Sequence, residues 1–90
     1  MIERELQKEK KLVIQELLVL IEDEWGLHLD SETGGEQELG SLSFWNSLNS
    51  LVFANLVMEY FKVVVPISAI RVKVTLNQIA AEIISAQRDN

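Results

Sequence analysis

The sequence predicts an all-α domain: a four-helix bundle of three main helices and one short one, with a long loop between the first and second. Three observations carry this. Apolar residues recur at helical steps of three, four and seven in three separate segments. The only β-prone run, Val63-Val64-Val65, has no second run to pair with. Glycine and serine cluster between residues 27 and 45, where no period survives. At 90 residues the chain has room for one core, so a single domain over 1–90 is expected.

The first helix is expected from about Glu3 to Trp25. Its apolar positions are Ile2, Leu6, Val13, Leu17 and Leu20, with Ile14, Leu18, Ile21 and Trp25 beside them. Gly26 stands where such a helix stops. Residues 27–45 read as a loop that returns to the core through Leu27, Leu29, Leu39, Leu42, Phe44 and Trp45. Gly34-Gly35 lies in no phosphate-loop context and reads as a flexible point. Phe44-Trp45 is expected to pin the end of the loop.

Asn46-Ser47 opens the second helix, because an asparagine at the cap accepts from the free donors of the first turn. On a helical wheel Leu51, Phe53, Ala54, Val57 and Phe61 face inward. Leu48, Val52, Asn55, Glu59 and Lys62 face outward. Val63–Val65 then leads extended into Pro66, which biases its predecessor away from helix. A short helical turn is expected over 67–73. Thr75-Leu76-Asn77-Gln78 has the capping-box pattern and launches the last helix on Leu76, Ile79, Ala80 and Ile83. The tail from Gln87 is expected to fray. On a per-residue rule such a domain is worth about 5–13 kcal/mol.

Composition excludes several functions. Eight basic and fourteen acidic residues give a net charge of −6, so the chain has no overall basic footprint for nucleic acid. The acidity is local: residues 1–45 hold eleven acids and four bases, residues 46–90 three and four. Without cysteine there is no disulfide, thiolate nucleophile or cysteine-held zinc. His28 is alone, and no base, nucleophile and oxyanion donors assemble around it. Glu22-Asp23-Glu24 with Asp30 and Glu32 lacks EF-hand spacing and reads as a solvated acidic patch, so no metal site is expected. Residues 1–11 alternate charges and Leu48–Ile70 is interrupted by polar residues, so neither a signal peptide nor a membrane span is expected. These features set the expectation of a cytoplasmic monomer that is not an enzyme.

One constellation is more specific. Asn46-Ser47-Leu48 begins the second helix, and Phe61 follows the serine by fourteen residues. Val63-Val64-Val65-Pro66 puts a proline nineteen residues beyond it, and Thr75-Leu76 opens the last helix. In spacing and element order the chain resembles the acyl carrier protein family over nearly its whole length, and 46–84 aligns without insertion. The resemblance implies an acyl-carrier-like fold and 4′-phosphopantetheine esterified to Ser47 from coenzyme A. An acyl intermediate would ride on its thiol as a thioester. It implies as partners a phosphopantetheinyl transferase and acyl-loading ligase, synthase or transferase enzymes, with docking through Leu48, Val52, Asn55 and Glu59. Two departures stand out. Asn46 replaces the family's aspartate before the serine, and the outer face of the second helix is apolar where fatty-acid carriers are acidic. They favour a specialised lipid or secondary-metabolite carrier, of fatty-acid or polyketide type, over the housekeeping one. They also motivate an alternative, a carrier-shaped interaction module that is never modified.

Overall fold

The computed structural model describes residues 2–88; for residues 2–6 and Ile67 it describes the backbone only. It is all-helical. Three α-helices, α1 (Ile2–Trp25), α2 (Ser47–Phe61) and α3 (Leu76–Arg88), are joined by segments that carry three one-turn 3-10 helices. The fourth helix expected over 67–73 is only the turn Ile67–Ala69. The physical reason lies in the next residues. Leu39 N–H donates to the Val74 carbonyl at 2.9 Å and Gly40 N–H to the Val72 carbonyl at 2.8 Å. Those bonds, with the bridge between Glu38 and Thr75, hold 72–75 against the long loop instead of letting the turn propagate.

α1 buries Val13, Leu17, Leu18 and Ile21, with Ile14, Leu20 and Trp25 packed at the margin. The side chains of Ile2 and Leu6, assigned to the same stripe, lie outside those described. Gly26 ends the helix at φ 68°, its N–H donating to the Glu22 carbonyl at 2.8 Å, a left-handed stop that glycine adopts at little cost. α3 packs across α1 and on the first 3-10 turn, Gly34–Glu36. Its Thr75–Gln78 box forms reciprocally: Thr75 N–H donates to Gln78 Oε1 at 2.9 Å and Gln78 N–H to Thr75 Oγ1 at 3.3 Å. Of the tail expected to fray, Gln87 and Arg88 continue the helix. α3 runs through Arg88, whose guanidinium reaches Glu9 Oε2 at 3.3 Å; Asp89 and Asn90 lie outside the described residues.

The long loop returns to the core as its apolar residues require. Leu39, Leu42 and Phe44 are buried, and Leu27, Leu29 and Trp45 pack against the cluster. The glycines are a different matter. Gly34 and Gly35 are buried inside a 3-10 turn, and a Cβ on Gly35 would stand 2.5 Å from Asn77 Oδ1. The pair is therefore closely packed, Gly34 against Leu18 of α1 and Gly35 against Asn77 of α3, and is not a flexible point.

Gly40 is tighter still. A Cβ there would overlap the Val72 side chain and lie 2.9 Å from the Val72 carbonyl oxygen, the atom its own N–H bonds. Gly40→Ala is expected to cost about 1–3 kcal/mol, the usual penalty of overpacking. Thermal unfolding reads this as a midpoint lowered by several degrees; an unchanged midpoint would show that the loop accommodates the methyl.

Candidate functional site

The candidate site is the start of α2. Asn46 is its N-cap, in extended conformation at φ −161°, ψ 176°. Its side-chain oxygen accepts from Asn49 N–H at 2.7 Å, and its carbonyl accepts the first helical bond, from Ser50 N–H at 2.9 Å. Ser47 is the first residue of the helix and is exposed. Among the described residues its hydroxyl makes no hydrogen bond, and neither do the backbone N–H groups of Ser47 and Leu48. Ser43 is likewise exposed with an unbonded hydroxyl, but it precedes the helix, and the other two nearby serines are engaged. Ser50 Oγ donates to the Ser47 carbonyl at 2.8 Å and Ser41 Oγ to the Glu38 carbonyl at 2.7 Å. The arrangement offers a free nucleophilic oxygen beside two unengaged donors at the positive end of a helix dipole, surroundings that suit a phosphate diester.

What precedes Ser47 is rigidly anchored. The Phe44 ring stacks on Trp25 at 4.0 Å and 9°, which ties the loop's end to the end of α1. Phe53, fully buried on α2, completes the cluster at 6.4 Å from Trp25 and 6.3 Å from Phe44.

The outer face of α2 is apolar around the serine. Leu48 is 68% exposed, and Asn55 and Glu59 are also exposed. Val52 is half-buried, so it borders this face and does not project from it. Leu51, assigned to the inner side, is 45% exposed. At roughly 100° per residue it stands about 160° around the helix from Phe53, and Ser47, Leu51 and Asn55 follow one another at four-residue steps on one side. The helix ends at Phe61, with Lys62 as a left-handed cap at φ 57°. Val63 and Val65 are buried while Val64, between them, is 83% exposed, an alternation in extended chain without a paired strand.

The other candidates do not join this site. His28 Nδ1 lies 3.1 Å from Glu22 Oε1, a surface pair of the kind that contributes little to stability. Among the described residues no three His, Asp or Glu side chains gather as a metal site, and no helix is long and apolar enough to cross a membrane. A groove of about 600 Å³ runs between α1 and the long loop, past Lys10, Lys11 and Glu32 to Asn77 of α3, and no residue of α2 lines it. Compared with known protein families, curated proteins and solved structures, the chain matches none.

Proposed function

We propose that the chain is an acyl carrier that holds its cargo as a thioester on 4′-phosphopantetheine attached to Ser47. The observation that carries this reading is the combination at one helix start of an exposed serine with an unengaged hydroxyl, a capping Asn46 and two free backbone donors. The landmarks spaced from that serine fall at structural boundaries. Phe61 ends α2, Pro66 closes the extended connection, and Thr75 caps α3. Ser47 and Leu48 N–H would donate to the phosphate oxygens, and the helix dipole would favour their charge. The prosthetic group would supply the thiol that a chain without cysteine lacks. The protein would present the substrate to separate enzymes and catalyse nothing itself. An acyl-carrier-like bundle and a specialised lipid or secondary-metabolite pathway belong to the same proposal.

Partners would dock on Leu48, Leu51, Asn55 and Glu59, with Val52 at the edge. One acid on this face gives little long-range steering, so the contact rests on apolar burial. The KM for this chain in the transfer reaction is expected to change less than about twofold between about 50 mM and about 500 mM salt. Leu51→Asp should raise it. A KM that climbs steeply with salt contradicts an apolar docking face.

The test of the function is the intact mass of the protein after incubation with coenzyme A and a broad-specificity phosphopantetheinyl transferase. The proposal predicts the gain of one phosphopantetheine. Failure with every transferase tried would favour the unmodified interaction module, the reading that Asn46 and the apolar α2 face motivate.

A further inference from the structure

We infer that Asn49 is a positioning residue for Ser47, holding the serine in the orientation that a transferase must meet; this rests on the carrier reading. Two bonds support the assignment, and both are short. Asn49 N–H donates to Asn46 Oδ1 at 2.7 Å, and Asn49 Nδ2 donates back past the cap to the Phe44 carbonyl at 2.7 Å. Asn49 is half-buried, and the second bond is partly shielded from water. The usual reciprocal box returns a side chain to the cap's own N–H. Here the return reaches two residues further, to a carbonyl whose ring is stacked on Trp25. The segment 44–46 is thus tied to the first turn of α2 from one side and to α1 from the other. Ser47 lies between the two asparagines, its backbone held and its hydroxyl free.

A group held this way reaches its reaction partner in one orientation, and losing the hold costs rate more than binding. Asn49→Leu keeps the size of the side chain but removes its donor. Asn49→Gln keeps the donor on a longer arm, and glutamine is a natural residue at this third helical position. The experiment measures kcat and KM for phosphopantetheine transfer to wild type and both variants, with circular dichroism melting curves alongside. The leucine variant is expected to lose about tenfold in kcat, with KM unchanged because the docking face is untouched, and the glutamine variant to recover most of the loss. A leucine variant modified at the wild-type kcat overturns the assignment. So does an equal loss in both variants with lowered melting temperatures, which would make Asn49 a stability residue only. Wild type left unmodified by every transferase is a separate result: it removes the carrier reading and, with it, any role for Asn49 in loading.

Discussion

Ser47→Ala is expected to remove all loading while leaving the protein as stable as wild type. The hydroxyl oxygen is the atom that the phosphoester needs, so no residual modification should survive its loss. Its structural contribution is small for definite reasons. The side chain is exposed, its hydroxyl bonds nothing among the described residues, and the cap belongs to its neighbour Asn46. Surface substitutions away from caps and core stay within about 0.5 kcal/mol. Asn46→Ala is the informative contrast, since loss of a helix cap costs about 0.5–2 kcal/mol. Intact mass and a melting curve on the same samples separate the two effects. If Ser47→Ala melted far below wild type, the serine would be structural and the site assignment would fail.

Phe53→Ala is expected to cause the largest loss of stability, about 3–5 kcal/mol. Its side chain is fully buried and closes the aromatic group with Trp25 and Phe44. The cavity left behind cannot be filled by two rings already stacked on each other. Against a total of about 5–13 kcal/mol, this is a large fraction. The effect should also reach the site, because the Phe44 carbonyl is the acceptor for Asn49. Urea unfolding reads the loss directly; a change below about 1 kcal/mol would mean that the aromatic group is not the anchor described.

The parts of this fold that were legible are those written locally. Val13, Leu17 and Ile21 share a stripe, Gly26 stops a helix, and Thr75 and Gln78 form a box, all within a turn or two of chain. Asn46 was readable as a cap for the same reason. The misread parts depend on distant partners. Gly34-Gly35 reads as flexible until Leu18 is seen packed on the first and Asn77 on the second. The expected helix over 67–73 shrinks because Leu39 and Gly40 claim the carbonyls of Val74 and Val72. Leu51 is a different error: the wheel reading grouped it with Phe53, whereas two residues at roughly 100° each set it about 160° away and turn it outward, an angle the sequence itself contains. Asn49 carried a usable local signal, an asparagine three residues after the capping one. Its partner is a backbone carbonyl, which no residue type announces. At the candidate site, Ser47 was pointed to by the resemblance that its spaced landmarks carry, while its free hydroxyl and the bonded state of Ser41 and Ser50 required coordinates.

The most direct test of the carrier reading is fragment-level mass spectrometry of the protein after incubation with coenzyme A and a phosphopantetheinyl transferase. Ser41, Ser43 and Ser50 lie close to Ser47 in sequence, so the position of the added mass decides more than its presence. The account predicts one phosphopantetheine, located on Ser47. No addition with any transferase, or addition at one of the neighbouring serines, would contradict it.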